Sequence, residues 1–256
     1  MTSLHNQVVV ITGASSGIGR ACAQAFAALG TKLLLLARRQ ERLNTLAREL
    51  TAEFGVETYG VGVDVRDRTQ IEAQLNALPA PWQQVDILVN NAGLSRGLDK
   101  LYEGNIQDWE EMIDTNIKGL LYLTRFWVPR MVARGQGHVI NIGSVAGHQT
   151  YPKGNVYCGT KAAVRAISEG LKQDLLGTSV RVSSVDPGLV ETEFSEVRFH
   201  GDQARAQAVY ADTIPLTAAD VAEVVLFCAT RPPHVNLSEV LVLPTAQAGA
   251  MLVHRQ

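Results

Sequence analysis

Short apolar runs alternate with longer amphipathic segments along almost the whole chain. Runs such as 8–11 carry no polar interruption, which is typical of strands buried on both faces of a parallel sheet. The segments between the runs repeat apolar residues at helical spacing. Strands are predicted at 8–11, 33–37, 58–63, 87–89, 139–142, 180–185 and 240–243. This order predicts an α/β protein whose parallel sheet is covered by helices on both faces.

Helices are predicted at 18–29, 40–54, 69–78, 109–134, 156–176 and 217–230. The longest of them contains Pro129, and an interruption is expected there because proline has no backbone N–H and crowds the preceding turn. The segment 191–214 departs from the alternation, and we predict that it is a mobile lid over the substrate. No linker or internal repeat divides the sequence, so 1–256 is predicted to be a single domain.

The charge and cysteine content argue against several classes of function. Lysine and arginine number 23 and aspartate and glutamate 25, so the net charge is −2. Nucleic-acid-binding proteins and polybasic membrane anchors need a basic excess that this chain lacks. Three widely spaced cysteines do not form a disulfide framework or a zinc motif, and no metal is expected. The sequence suggests neither a signal peptide nor a membrane span, so a cytoplasmic location is expected.

A glycine cluster, TGASSGIG at 12–19, lies between the first strand and the first helix. Glycines at this junction allow a tight turn, a close approach to a pyrophosphate and close packing of the helix. The helix start offers free N–H groups and the positive end of its dipole to phosphates. A simple turn is the alternative, but the position favours a dinucleotide site. Its predicted residues are Gly13, Ala14, Ser15, Ser16, Gly17, Ile18 and Gly19.

The end of the second strand predicts which dinucleotide binds. Sites that prefer NAD usually place an acidic residue there to bind the ribose 2′-hydroxyl. This chain has Arg38 and Arg39 instead, and guanidinium groups suit a 2′-phosphate. NADP is therefore the expected cofactor, unless the two arginines only begin a solvated helix. Asp64 and Val65 follow the third strand and are expected at the adenine edge of the cleft. Asn91, Ala92 and Gly93 follow the fourth strand and are expected to line the same cleft.

Tyr157 and Lys161 are four residues apart on a predicted helix and therefore share one face. A tyrosine with its ordinary pKa of ~10 is a poor base at neutral pH. An ammonium at ~4 Å and an effective dielectric constant of ~20 stabilises the phenolate by about 4 kcal/mol, before the cost of burial. We therefore predict that Lys161 lowers the pKa of Tyr157 to about 7–8, which would make it a usable general acid–base.

Two further polar residues are candidates for the same site. Ser144 directly follows the fifth strand, where its hydroxyl is expected to hydrogen-bond a substrate carbonyl. Asn116 lies within the long predicted helix, and its amide is expected to hold a water that relays protons to Lys161. A purely structural role is the alternative for Asn116, because single buried asparagines are commonly structural.

Taken together, these motifs resemble the short-chain dehydrogenase/reductase family, and they cover essentially the whole chain. They occur in the family's order: TGxxxGxG at 12–19, NNAG at 90–93, Asn116, Ser144, YxxxK at 157–161 and Pro187-Gly188. The resemblance implies a doubly wound Rossmann domain with seven parallel strands and a catalytic tetrad of Asn116, Ser144, Tyr157 and Lys161. It also implies that Lys161 holds the nicotinamide ribose. The carboxamide would be held by Pro187, Gly188, Val190 and Thr192.

Several stretches resemble one subgroup more closely: 37–43, 154–157, 193–199 and 253–256. They are similar to NADP-dependent 3-hydroxy acid dehydrogenases, which include serine and L-allo-threonine dehydrogenases. The resemblance implies hydride transfer between NADP and a small 3-hydroxy acid or its oxidised form. Lys153 and Cys158 depart from the subgroup and leave the substrate open. The alternatives are a ketone or 3-oxoacyl reductase and, in another class, a non-catalytic NADP-binding protein.

A small hydroxy acid needs a cation to hold its carboxylate. Arg198 is the first candidate, because it lies in the predicted lid just after the nicotinamide-binding segment. Lys153, four residues before Tyr157, is the rival, and an ordinary surface arginine is the alternative. The predicted substrate contacts are therefore Ser144, Tyr157, Arg198 and Lys153.

The resemblance further implies a homotetramer. The helix that carries Tyr157 has several small residues, which permit close packing either against another copy or against its own sheet. They are Cys158, Gly159, Ala162, Ala163 and Ala166.

Overall fold

The computed structural model describes residues 2–256, and within them a parallel sheet of seven strands forms the centre of the fold. In chain order the strands are β1 (Val8–Thr12), β2 (Lys32–Ala37), β3 (Thr58–Gly62), β4 (Ile87–Asn90), β5 (Gly137–Ile142), β6 (Val180–Pro187) and β7 (Glu239–Val242). They lie side by side as β3-β2-β1-β4-β5-β6-β7. From β1 the strands are added on one side as far as β3, and from β4 onward they are added on the other side. This change of side leaves a crevice between the carboxyl ends of β1 and β4. The predicted α/β fold is confirmed.

Helices cover both faces of this sheet. They are α1 (Gly17–Ala27), α2 (Gln40–Phe54), α3 (Arg68–Asn76), α4 (Ile106–Ile113), α5 (Leu120–Arg134), α6 (Asn155–Asp174), α7 (Phe194–Arg198), α8 (Gln203–Ala208) and α9 (Ala218–Ala229). Alternate residues of β1 point to opposite faces, as the pleat requires. Val9 and Ile11 pack in the same core cluster as residues of α1, α2 and α9, whereas Val8 and Val10 pack with α3 and α5.

The long predicted helix is interrupted, but the expected position near Pro129 is wrong. A π-helix at Asp114–Gly119 separates α4 from α5, and Pro129 lies inside α5. Proline removes one hydrogen bond, to the carbonyl four residues earlier. Pro129 and Arg125 are both exposed, so water can satisfy that carbonyl while the buried face of α5 stays packed.

The segment 191–214 is more ordered than the sequence suggested, since it contains α7 and α8. The end of α7 is also fixed to a neighbouring loop. The backbone N–H of Gly97 donates to the carbonyl of Arg198 (2.9 Å). Movement of this segment as a lid stays a prediction. Among the described residues, no helix combines the length and apolar character needed to cross a membrane.

Candidate active site

A cleft of about 440 Å³ lies at the carboxyl ends of the central strands. Most of the residues predicted to bind the cofactor line it: Gly13, Ser15, Ser16, Gly17, Ile18, Arg38, Arg39, Asp64, Val65, Asn91, Ala92, Gly93, Tyr157, Lys161, Pro187, Gly188, Val190 and Thr192. Ala14 and Gly19 do not line it. Ala14 is fully buried and donates its N–H to the carbonyl of Leu36 (3.2 Å).

The glycines after β1 leave space for a ligand and let the loop pack closely against the start of α1. Gly13 and Gly17 have φ angles of +64° and +50°, a left-handed conformation that favours glycine. A Cβ atom on Gly19 would lie 2.4 Å from the carbonyl oxygen of Gly13, so a side chain there would push α1 away from the loop. Gly19 therefore shapes the loop without facing the cleft.

The start of α1 is suited to a phosphate group. Ser16 occupies the N-cap position, but its side chain makes no capping hydrogen bond, and the first turn contains no acidic residue. The N–H groups and the positive dipole end of α1 are therefore available to an anion. Together with the two left-handed glycines, this arrangement fits the pyrophosphate of a dinucleotide.

The loop after β4 is joined to the phosphate loop by the side chains of Thr12, which was not among the predicted site residues, and of Asn91, which was. The hydroxyl of Thr12 accepts hydrogen bonds from the backbone N–H groups of Asn91 (3.0 Å) and Ala92 (2.9 Å). The Asn91 amide in turn donates to the carbonyl of Thr12 (2.8 Å). These bonds hold the two loops in one fixed arrangement around the cleft.

The arginines after β2 face the same end of the cleft. Arg38 is exposed, and the guanidinium of Arg39 donates to the hydroxyls of Ser15 (3.1 Å) and Ser16 (3.0 Å). Arg39 also pairs with Glu193 (3.2 Å), whose other carboxylate oxygen pairs with Arg42 (2.8 Å). A carboxylate from the predicted lid therefore lies where the sequence predicts a 2′-phosphate.

Asp64 lines the cleft, but its carboxylate already has a partner. It accepts hydrogen bonds from the guanidinium of Arg66, the shortest at 2.7 Å. Burial acts to raise the pKa of Asp64, yet the hydrogen bonds and positive charge of Arg66 outweigh it and the pKa is lowered. Asp64 thus stays ionised at this edge of the cleft.

Ser144, Tyr157 and Lys161 meet at the opposite end of the cleft. Tyr157 and Lys161 lie on the buried face of α6, and Ser144 begins the short turn after β5. The Lys161 ammonium donates to the carbonyl of Ile142 (2.8 Å) and lies 6.0 Å from the centre of the Tyr157 ring. The Ser144 hydroxyl accepts the N–H of Ala146 (3.1 Å). The predicted hydroxyl, phenol and ammonium are therefore together.

The expected lowering of the Tyr157 pKa is wrong for the protein without bound cofactor. Burial raises the pKa of Tyr157, the neighbouring Tyr151 adds to the rise, and Arg198 and Ser144 only partly offset it. Lys161 is itself buried, which lowers its own pKa to about 8. The cost of removing a phenolate from water exceeds the stabilisation by nearby positive charge, so Tyr157 is held as a phenol.

Asn116 does not line the cleft, and its side-chain amide makes three hydrogen bonds within the protein. Its oxygen accepts the N–H of Leu94 (2.8 Å), and its nitrogen donates to the Leu94 carbonyl (2.8 Å) and the Thr160 hydroxyl (3.0 Å). The role of this amide in holding a water stays a prediction. Asn116 fastens the loop after β4 to α6, which carries Tyr157 and Lys161.

Arg198 projects into the catalytic end of the cleft. Its guanidinium carbon lies 5.3 Å from the ring centres of both Tyr157 and Phe194. One nitrogen, Nη2, donates to the hydroxyl of Tyr151 (2.8 Å). Another, Nε, is buried and has no hydrogen-bond partner among residues 2–256. A buried, unsatisfied cationic N–H beside the Tyr157 phenol is suited to an anionic ligand.

Lys153 does not share this position. It is exposed, has a left-handed backbone conformation (φ +66°), and lines a second, small pocket that shares Tyr157 with the cleft. Several cleft residues were missed from the sequence because side chains distant in the chain carry no local pattern: Leu94, Tyr151, Glu193, Phe194, Tyr210, Gln247 and Met251.

Comparison with known proteins agrees with this geometry. The family model described as short chain dehydrogenase matches residues 7–203. The NADP-dependent 3-hydroxy acid dehydrogenase YdfG of Escherichia coli (strain K12) is 49% identical, over 97% of this chain and 100% of that protein. Sulfoacetaldehyde reductase 2 of Chromohalobacter salexigens is 46% identical, over 95% of this chain and 96% of that protein.

A solved structure, the closed form of serine dehydrogenase complexed with NADP+, matches with a TM-score of 0.91 and 48% identity. The match covers 98% of this chain and 100% of the other. The sheet order, the cleft with its serine, tyrosine and lysine, and the near full-length matches lead to one conclusion: this chain belongs to the short chain dehydrogenase family.

Proposed function

We propose that this chain is an oxidoreductase that transfers a hydride between NADP and a small 3-hydroxy acid, or the corresponding semialdehyde or 3-oxo acid. The observation that carries the substrate class is Arg198, whose buried and unsatisfied N–H lies in the cleft beside Tyr157. A carboxylate at Arg198 would hold the β-carbon, two bonds away from the carboxylate carbon, on the side of the Tyr157 phenol. The relatives named for 3-hydroxy acids and serine support the same substrate class.

The residues around the cleft fit NADP. The N-terminus of α1 and the glycine loop suit the pyrophosphate, while Arg38 and Arg39 offer guanidinium groups to the 2′-phosphate. At the other end, Lys161 and the segment from Pro187 to Thr192 line the part of the cleft that would receive the nicotinamide and its ribose. Bound NADP accepts a hydride at its nicotinamide ring, and NADPH donates one.

The catalytic residues divide the remaining work. Ser144 offers its hydroxyl to the substrate oxygen, and Tyr157 exchanges a proton with that oxygen. Because burial raises its pKa, Tyr157 is protonated at neutral pH and ready to donate during carbonyl reduction. Oxidation needs the phenolate, so its rate should rise as the pH increases. Lys161 favours that anion through its positive charge.

The alternatives keep the same cofactor site. A reductase of neutral ketones or 3-oxoacyl groups would not need a cation at the position of Arg198. A non-catalytic NADP-binding protein would need neither Ser144 nor the tyrosine–lysine pair. One cleft is lined by Arg198 together with Ser144, Tyr157 and Lys161, and this combination favours the 3-hydroxy acid reaction.

A homotetramer and a cytoplasmic location also belong to this proposal. On α6, Gly159, Ala162 and Ala166 are exposed rather than packed on the sheet, and a Cβ on Gly159 would meet nothing within 4 Å. Exposed Leu121 on α5 and Ile106 on α4 add apolar surface. Such faces suit contact with a second copy. Light scattering tests the oligomer, and a mass near 27.7 kDa at micromolar concentration would contradict it.

A kinetic screen tests the substrate class. L-serine, L-allo-threonine, 3-hydroxypropanoate and 3-hydroxybutanoate are compared with an uncharged alcohol of similar size, each with NADP and with NAD. The reverse reaction is followed with NADPH, a small neutral ketone and a 3-oxoacyl thioester. We expect the hydroxy acids with NADP to have the highest kcat/KM. If the neutral ketone or the thioester is preferred, the substrate assignment is wrong even though the family is right.

A further inference from the structure

A buried acid lies directly behind the catalytic residues. Asp186, near the end of β6, is 1% exposed and does not line the cleft, although the next residue, Pro187, does. Its carboxylate accepts hydrogen bonds from the Ser184 hydroxyl (2.5 Å) and from Nε2 of His148 (2.7 Å). The reaction described above gives Asp186 no part.

The carboxylate of Asp186 packs against the backbone that positions the catalytic groups. A Cβ atom on Gly143 would lie only 1.9 Å from Oδ1 of Asp186, so this contact requires glycine. Gly143 stands between Ile142, whose carbonyl accepts the Lys161 ammonium, and Ser144. Asp186 therefore fixes the end of β5 at the point where Ser144 and the acceptor for Lys161 are held.

The charge of Asp186 also bears on Lys161. Within the described part of the chain, the Lys161 ammonium donates to a neutral carbonyl, which supplies no counter-charge. Burial lowers the pKa of Lys161 to about 8, while the negative charge of Asp186 acts in the opposite direction and raises it. A neutral lysine would no longer favour the Tyr157 phenolate.

The charged groups around Asp186 form a series that leads to the surface. His148 follows β5 and faces Asp186 through Nε2 and Glu239 of β7 through Nδ1, at 3.7 Å. Glu239 is in turn paired with Arg165 of α6 (2.9 Å). Lys161 lies one helical turn before Arg165, and its ammonium is bonded to the carbonyl of Ile142, next to the glycine that Asp186 contacts. His148 is partly exposed, so the series connects a buried carboxylate to solvent.

We propose that Asp186 is a positioning residue that acts through Lys161. Its buried carboxylate, held by His148 and Ser184, supplies the counter-charge that keeps the Lys161 ammonium protonated beside Tyr157. The inference rests on the proposed function for its kinetic consequence, but the charge state of Lys161 can be measured without substrate or cofactor.

Asp186→Asn removes the negative charge and keeps the shape of the side chain. His148 can still donate a hydrogen bond to the new amide oxygen or accept one from the amide nitrogen. The test uses protein labelled with ¹⁵N-lysine, in which the Nζ signal of Lys161 is assigned by its loss in Lys161→Met and followed against pH. We expect the midpoint to fall by about one pH unit or more in Asp186→Asn. Ser183→Ala is the matched control, because it removes a buried hydrogen bond (2.9 Å to His138) on the same strand. The Lys161 midpoint in Ser183→Ala should equal that of the unmodified protein.

Kinetics provide the second measurement. Because Lys161 favours the phenolate only while it is protonated, the rise of the oxidation rate with pH should level off at a lower pH in Asp186→Asn, with little change in the KM for NADP. An unchanged Lys161 midpoint would overturn the proposal. If Asp186→Asn does not fold, Asp186→Ala, which adds no polar atom, is titrated in its place and the same fall is expected. An unmodified protein that oxidises no 3-hydroxy acid would reject the proposed function and leave the titration result unaffected.

Discussion

The two ends of the cleft are built in different ways. The phosphate end, which we propose binds the pyrophosphate, is made from consecutive residues, 12–19, that offer a left-handed glycine backbone and free N–H groups. The catalytic end is made from side chains of separate segments, including Ser144, Tyr157 and Arg198. A site made of backbone depends on glycine spacing, whereas a site made of side chains depends on how distant segments pack. The two ends should therefore respond differently to mutation.

The largest effect is expected at the catalytic end. Tyr157→Phe removes the exchangeable proton and keeps the ring, so kcat should fall by at least ~10²-fold while NADP still binds. Steady-state rates and a binding titration measure the two quantities. Tyr210→Phe is the control, because Tyr210 also lines the cleft but uses its hydroxyl on Ser195 and Val190. Near-normal kcat in Tyr157→Phe would contradict the catalytic assignment.

The next effect is expected at the phosphate end. Replacing both Arg38 and Arg39 with alanine should weaken NADP binding far more than NAD binding, with a change in preference on the order of 10²-fold. The reason is that only NADP has the 2′-phosphate. Arg20→Ala serves as a control, since it removes an equally exposed arginine, paired with Glu49, from outside the cleft. Equal losses for both cofactors would mean that the two arginines do not read the phosphate.

A smaller and more selective effect is expected for Arg198→Ala. The loss of a charge-assisted contact should lower kcat/KM for hydroxy acids by about 10- to 100-fold and leave neutral alcohols nearly unchanged. Lys153→Ala should affect neither class, because Lys153 lies outside the cleft. If Arg198→Ala lowers both classes equally, Arg198 supports α7 rather than the substrate. If Lys153→Ala selectively lowers the hydroxy acids, Lys153 is the carboxylate ligand.

The smallest effect concerns the contact that joins the two ends. Glu193, next to α7, pairs with Arg39 and Arg42 and competes with a 2′-phosphate for Arg39. Glu193→Gln should therefore tighten NADP binding by roughly two- to fivefold, because exposed ion pairs are weak. NAD binding should not change. Weaker NADP binding in this variant would mean that Glu193 supports the site instead of competing for it.

Local sequence determined the fold and the glycine loop at one end of the cleft. Continuous apolar runs predicted buried parallel strands, and the glycines near β1 predicted the loop, because both depend on neighbouring residues. The four-residue spacing of Tyr157 and Lys161 likewise placed them on one face of α6.

The tertiary structure decided the charge states and the hydrogen-bond partners of these residues. The pKa of Tyr157 depends on burial and on Tyr151 and Arg198, which no spacing predicts. The amide of Asn116 is taken by Leu94 and Thr160 from two other segments. Solvent on the outer side of α5 allows Pro129 to remain inside a continuous helix. Periodicity and turns follow from short-range sterics and hydrogen bonding, whereas charge states and side-chain partners follow from long-range packing and the water that it excludes.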